Sequence, residues 1–456
     1  MISSKAVYNG LMMNIVFFAS STVEFPAEDH EIRTLPSRND EWENLLSIFP
    51  DDNFFVVTQL PSPFLIDIKE DRLLDLPANV KCIISKSNTP QDFAEDIIAL
   101  NPDVAVQASY WAAPFDWMCL NDSLIAEELC KRGVRTIFHP AESELICFDK
   151  WQTHNMIKGM GFNVPDATYV HHELYWAERP KPYVTVNAYK EYVWNQMRNM
   201  KYPVVIKDTV GLSSYGMDVA VSFKEAVHYL NLGRTSSDRL VETFIDGIAF
   251  GTEIYSLNGK TVVMPPFLLS VNKYGLTSPR RSIKLGPITN PKYKIEELNA
   301  MLVQLAQKLN LNGFAQVDLI FKDDRWYVIE VNPRLSGMSE TYACCSKLSI
   351  LKKLAMMAKG ILPVPDECTC TCSFKLPLMD YETMKKIKSE KSLLYMYQIK
   401  NNAARQERER GYCEVVVGGF ESHDDLIKEI ERLSDKYRDL FEEQLFEEIE
   451  KVRVLI

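Results

Sequence analysis

Five short apolar runs punctuate the first 140 residues: Asn14–Ala19, Phe54–Thr58, Lys81–Ser85, Val104–Ala108 and Arg135–Phe138. The segments between them are polar and helix-capable. Unbroken apolar runs of this length predict strands buried on both faces, and so a parallel sheet covered by helices. LNDSLIAEELCKRGV predicts a helix ahead of the last run, with Leu124, Ile125, Leu129 and Val134 at helical spacing. A dinucleotide site would show GxGxxG after its first strand. ASSTVEF stands there instead, so this region reads as a Rossmann-like platform without that cofactor.

The pattern changes near Phe148. DKWQTHNMIKGMG predicts a helix, and YPVVIKD a short buried strand with Lys207 near its end. TVGLSSYGM is a loop bracketed by Gly211 and Gly216, SFKEAVHYLNL a helix, and RLVETFIDG a strand running into a turn. ERPKPYVTVNAY reads as a loop or small insertion. Asn258-Gly259 between GTEIYSL and KTVVMPP predicts a two-residue hairpin. TSPRRSIKLGP is basic and poorly periodic. NPKYKIEELNAMLVQLAQKLNL carries Ile295, Leu298, Leu302, Leu305 and Leu309 on one helical face. GFAQVDLIF and RWYVIEV form a second hairpin around Lys322-Asp323-Asp324, and SKLSILKKLAMMAKGILPVP a helix stopped by Gly360 and Pro363. From Cys368 come a strand, SFKLPLM, a polar stretch over 385–411, the run YCEVVVGGF and one long amphipathic helical tail from Asp424 to Val452. The tail's stripe packs onto its own domain or serves a homodimer. The chain therefore divides into a parallel-sheet domain over 1–140, a second domain over 141–366 with a glycine-loop lobe near 165–240, and a small α+β domain over 367–456.

Composition narrows the function. The chain has 456 residues, 46% hydrophobic and 25% charged, with a net charge of −11. That excludes a disordered chain and disfavours non-specific nucleic-acid binding. No apolar run reaches the roughly 20 residues of a membrane helix. MISSKAVYNGLMMNIVFFASS has the flavour of a signal peptide, but Asn9, Gly10 and Asn14 interrupt it, so it reads as the approach to a buried strand. Ten cysteines are then expected as reduced thiols in the cytoplasm. Cys368, Cys370 and Cys372 alternate along a strand and lack the spacing of a zinc site.

The chemistry concentrates in three places. Alternation along a strand puts Glu330, Asn332 and Arg334 of EVNPR on one face, and Asp318 can pair with them across the hairpin. Two carboxylates and an amide oxygen are hard ligands of the kind Mg²⁺ takes, and an arginine beside them can neutralise a phosphoryl group. The bland alternative is a solvated hairpin face. Lys207 precedes the Gly211–Gly216 loop, whose amides and serines, Ser213 and Ser214, can donate to an anion. A plain surface loop matches that segment equally well. Glu242, followed by Phe244 and Ile245, can edge an adenine pocket or simply end a core strand.

Taken in order, Lys150, Lys207 with its glycine loop, ExxI at Glu242, and D…ExNxR resemble the ATP-grasp superfamily, from Asp149 to about Lys359. The resemblance implies a Rossmann-like pre-ATP-grasp domain, a central ATP-grasp fold and a small C-terminal α+β lobe. It implies that Lys150, Lys207, Gly211, Ser213, Ser214 and Gly216 meet ATP phosphates. Glu242, Phe244 and Ile245 would hold adenine, and Glu253 or a residue near Asp246 the ribose. Asp318, Glu330 and Asn332 would bind two Mg²⁺ ions, with Mn²⁺ an alternative. Asp318 stands where many relatives have Glu. Arg334, with Arg280, Arg281 and Lys284 of the basic stretch, would meet the acyl-phosphate and tetrahedral stages. The segment after Arg334, LSGMSETYA, departs from the Gln-Val-Glu of biotin carboxylases. The implied activity is an amide-forming ligase acting on small-molecule carboxylate and amine substrates, the first an amino acid or short peptide. The alternatives are a biotin-carboxylase-like enzyme that activates another carboxylate, and a non-catalytic nucleotide-binding or interaction protein.

Overall fold

The computed structural model describes residues 12–22, 39–59, 66–67, 72–73, 76–110, 117–181, 183–211, 217–232, 237–270, 282–399, 412–441 and 443–456. The five apolar runs form the strands Asn14–Ala19, Asn53–Thr58, Val80–Ile84, Val104–Gln107 and Thr136–Ile137. They make one parallel sheet in the spatial order third, second, first, fourth, fifth. The first strand is central, and Ile15 to Phe18 are fully buried. Helices Pro90–Ile98 and Met118–Lys131 cover one face through Phe93, Ile97, Ile125 and Leu129. Leu124, expected on the buried side, is exposed; Ala126 takes its place beside Ile125. Helix Asn39–Ile48 and helix Ile350–Ala358 share an apolar cluster with the other face. The sheet is thus seated on the rest of the molecule through Leu351, Leu354 and Ala355, with a Lys359–Asp52 ion pair at 2.6 Å on the edge.

The glycine-loop lobe is a four-stranded antiparallel sheet in the order Asp218–Ala220, Val204–Asp208, Arg239–Thr243, Ala167–Val170. Helices Ala188–Arg198 and Phe223–Asn231 pack on it around its own core of Val193, Met197, Val204, Ile206, Leu230 and Val241.

The third sheet is antiparallel and long. Its path runs Arg325–Asn332, Gly313–Lys322, Ile248–Leu257, Phe267–Leu269, Lys284–Gly286, Cys370–Leu376, Tyr412–Phe420, Leu393–Ile399, with Lys260–Val263 also paired to Ile248–Leu257. Both hairpin turns form where the pattern placed them. Asn258 and Gly259 have φ of 51° and 79°, and Asp323 and Asp324 have 49° and 59°. The short polar side chains tolerate this left-handed region.

The C-terminal segment continues this sheet, since Lys284, Leu285 and Gly286 pair with Ser373, Cys372 and Thr371. One apolar cluster runs from Leu298 and Leu302 of helix Ile295–Lys308 to Leu426 and Ile430 near the C-terminus. The single tail helix is a misreading. The tail is a helix His423–Lys436, a 3₁₀ turn Arg438–Leu440 and a helix Glu443–Arg453. Tyr437 leaves helical geometry at φ −123°, ψ 47°. The bend lets Phe441 meet Phe374 and Ile449 join the same cluster, which a straight helix would not reach. The stripe therefore packs on its own sheet. Cys370 and Cys372 are buried in that cluster, and none of the ten cysteines is in a disulfide. Among the described residues no helix is long and apolar enough to cross a membrane.

Candidate active site

The two lysines come from separate elements that meet at the lobe. Asp149 caps helix Lys150–Gly159, its Oδ1 accepting the Trp151 and Gln152 N–H groups at 2.8 and 3.2 Å. This fixes Lys150 at the first helical position, where its own N–H donates to the Thr209 carbonyl at 2.7 Å. Its Nζ donates to the Gly211 carbonyl at 2.7 Å and lies 3.4 Å from Glu330 Oε1. Lys150 therefore spans from the start of the glycine loop to the acidic hairpin.

Lys207 pairs opposite Leu240, so Glu242 is its diagonal neighbour on one sheet face. Its Nζ sits 2.5 Å from Glu242 Oε2. His154, one turn along the helix from Lys150, places Nδ1 3.5 Å from Glu242 Oε1. All three are buried. Burial alone would raise the pKa of Glu242, but Lys207 and then His154 outweigh it and hold the carboxyl below its ordinary value.

The hairpin set depends on one irregularity. Leu319 pairs with Val328, yet Asp318 pairs with Glu330, so Ile329 is an extra residue in the second strand. Without this bulge Asp318 would oppose Ile329. With it, Asp318 faces Glu330, and Gln316 faces Asn332. A hydrogen-bonded chain runs across these pairs. Arg334 Nη2 donates to Asn332 Oδ1 at 2.8 Å, Asn332 Nδ2 to Gln316 Oε1 at 2.9 Å, and Gln316 Nε2 to Asp318 Oδ1 at 2.6 Å. Arg334 Nη1 also reaches the Leu335 carbonyl at 3.3 Å. Beside Arg334 a small recess is lined by Gln107, Ser109 and His139 of the N-terminal domain. Leu335 N–H donates to the Ser109 carbonyl at 3.1 Å, so that domain touches the loop carrying Arg334.

Burial and the facing Glu330 push Asp318 up to about 7. Two opposed carboxylates in a low-dielectric site, with an amide oxygen beside them, fit a divalent cation with oxygen preference such as Mg²⁺. No group of three or more His, Cys, Asp or Glu side chains suited to a metal occurs among the described residues, so the amide of Asn332 is needed to complete such a set. The sign of the linkage gives a prediction. Between the unfolded value of 3.8 and about 7, the folded protein holds a proton at Asp318 that the unfolded chain has released. Its contribution to stability therefore falls as pH rises through that window. Thermal melts of ligand-free Asp318→Asn should coincide with the parent near pH 4 and lie above it at pH 8. Parallel curves would contradict this placement of Asp318.

The remaining expected residues separate. Phe244 N–H donates to the Pro203 carbonyl at 3.0 Å, which removes that donor from any base-reading role; Thr243 N–H is likewise bonded to the Asp166 carbonyl at 2.8 Å. The Ile245 carbonyl accepts from Gly247 N–H at 3.0 Å. Asp246 is exposed at the turn. Glu253 does not stand with a nucleotide site: it is 1% exposed, and both of its oxygens accept internal hydrogen bonds. Lys284 Nζ bonds the Gly337 carbonyl and lies 3.5 Å from Glu414 Oε1, so it braces the loop after Arg334 against the C-terminal lobe. Ser213, Ser214, Gly216, Arg280 and Arg281 lie outside the described residues. Gln316, two before Asp318 on one strand, escaped the sequence reading, whereas His154, four after Lys150 on one helix, is expected near the pocket only because Lys150 is; both spacings carry the signal.

Comparison with known proteins places this geometry in context. Residues 147–338 match the ATP-grasp domain family. The carbamoyl phosphate synthase large chain of Thermotoga neapolitana is 24% identical over 216 residues, 46% of this chain and 18% of that protein. That of Corynebacterium glutamicum is 27% identical over 165 residues, 35% of this chain and 15% of that protein. The chain thus spans less than a fifth of these relatives. Among solved structures, an L-amino acid ligase from Bacillus licheniformis superposes with a TM-score of 0.63 at 15% identity, covering 93% of this chain and 97% of that one. The ADP complex of an N5-carboxyaminoimidazole ribonucleotide synthetase superposes at 0.62 and 13% identity, covering 92% and 96%. The phosphoribosylglycinamide synthetase from Anaerococcus prevotii superposes at 0.59 and 15%, covering 93% and 98%.

Proposed function

We propose that the chain, whose residues 147–338 match the ATP-grasp domain family, is an ATP-dependent ligase that joins a carboxylate to an amine. The first substrate is an amino acid or short peptide. The observation that carries this reading is the span of Lys150 between Gly211 and Glu330. It sets one cation between a glycine loop and a carboxylate pair, which is the layout a triphosphate needs.

A carboxylate oxygen attacks the γ-phosphorus, the bond to the β-phosphate oxygen breaks, and ADP leaves. The acyl phosphate is then attacked at carbon by the neutral amine. The tetrahedral adduct expels phosphate and yields the amide, with the amine's proton passing to solvent or a nearby base. Lys150 and Lys207 bind and orient the phosphates. Asp318, Glu330 and Asn332 would hold Mg²⁺, which supplies charge neutralisation for the phosphates when bound. Arg334, fixed by Asn332, presents its remaining N–H donors to the transferred phosphoryl and the oxyanion. Most of the rate comes from positioning and charge, with little covalent work by the protein.

The test is release of ADP and phosphate from Mg·ATP against pooled amino acids and short peptides, with product masses read from active wells. The expected result is release that requires a carboxylate and an amine together, and a product weighing their sum less water. ATP binding with carboxylate-dependent release but no amine requirement would favour a different acceptor. Absence of release in every pool would count against an amino-acid or peptide substrate.

A further inference from the structure

Opposed residues of an antiparallel pair share a sheet face. Tyr255, Glu253 and Gly251 oppose Phe314, Gln316 and Asp318, which puts Glu253 in the row beside the Arg334–Asn332–Gln316–Asp318 chain. A second buried chain occupies that row. Lys353 Nζ donates to Tyr255 OH at 2.8 Å, and Tyr255 OH donates to Glu253 Oε2 at 2.7 Å. Ser339 Oγ donates to Glu253 Oε1 at 2.5 Å and accepts the Ser336 N–H at 3.0 Å. Ser336 Oγ in turn accepts the Met338 N–H at 3.1 Å. Gly251 completes the fit: a Cβ there would lie 2.5 Å from Met338 Sδ.

The four side chains of this chain are 0–1% exposed. A charged pair so deeply buried is a costly way to fill space, because apolar residues of similar volume do so at least as well. A carboxylate does what they cannot: it accepts from a tyrosine and a serine at once while a lysine balances its charge. The serine it holds lies five residues after Arg334. We propose that Glu253 is a positioning residue for Arg334, tethering the segment Leu335–Met338 through Ser339 so that the guanidinium keeps its bond to Asn332. Lys353, through Tyr255, holds the Glu253 carboxylate aimed at Ser339. This role rests on the reading of Arg334 as the group that meets the phosphoryl and the oxyanion.

Ser339→Ala cuts the tether and leaves Lys353–Tyr255–Glu253 in place, while Ser339→Thr keeps a hydroxyl. Amide hydrogen exchange at residues 335–338 should rise at least about tenfold in Ser339→Ala, with strand Gly313–Lys322 unchanged, and return toward the parent in Ser339→Thr. In turnover, kcat should fall about tenfold with KM for ATP unchanged, as loss of a transition-state contact requires. The double variant E253M/K353M leaves no unpaired buried charge and should show the same local exchange. Unchanged protection at 335–338, or a rise spread evenly over the sheet, overturns the inference. A parent protein without carboxylate-dependent turnover overturns the ligase reading alone, because exchange decides the tether without an assay of activity.

Discussion

Arg334→Ala should lower kcat by about 10²–10³ while changing Mg·ATP affinity no more than about threefold. The guanidinium carries five N–H donors, and the described bonds to Asn332 and Leu335 engage two of them. The rest are held in place before any charge develops, which is what makes such a donor effective in a site sheltered from water. Arg334→Lys keeps the charge and loses the fork geometry, so it should recover only a minor part of the lost rate. Neither variant removes buried apolar surface, so thermal midpoints should stay close to the parent. A drop in nucleotide affinity equal to the drop in kcat/KM would place Arg334 in ground-state binding instead.

Lys207→Met has the other large effect, and it divides into two parts. The variant keeps most of the side-chain volume but leaves Glu242 a buried carboxylate facing His154 at 3.5 Å. Breaking a buried pair this way costs about 3–5 kcal/mol. Adding Glu242→Gln removes the stranded charge and should return most of the stability. If Lys207 binds a phosphate as proposed, it should not return nucleotide affinity, because that cation is still missing. Urea unfolding and nucleotide titration of the two single variants and the double separate these terms. A double variant that regains both would reduce the Lys207–Glu242 pair to a structural role.

The sequence made much of this readable, for local reasons. Five apolar runs predicted five parallel strands because strands buried on both faces leave no polar alternation to confuse. The turns at Asn258-Gly259 and Asp323-Asp324 followed from residue types that accept positive φ. What escaped depends on pairing between distant segments. The bulge at Ile329 adds one residue to a strand that reads as continuous, yet it alone brings Asp318 opposite Glu330. Pairing of Lys284 with Ser373 makes the C-terminal strands an extension of the central sheet, and nothing near either residue announces it. Helix Ser339–Ser346 is buried at six of its eight positions, so it shows no amphipathic period. Glu253 was expected at the ribose because a strand glutamate looks the same whether it faces a ligand or a buried tyrosine. In the site itself, the ExNxR spacing was legible in strand alternation and His154 in its place after Lys150, whereas Gln316 became visible only through its partners.

The most direct test of the acyl-phosphate account follows one oxygen. A carboxylate substrate that supports ADP release is labelled with ¹⁸O in its carboxyl group, and the released phosphate is analysed by mass. Transfer of the γ-phosphoryl to the carboxylate predicts one ¹⁸O in each phosphate and ADP as the nucleotide product. Unlabelled phosphate, or AMP with pyrophosphate, would contradict it.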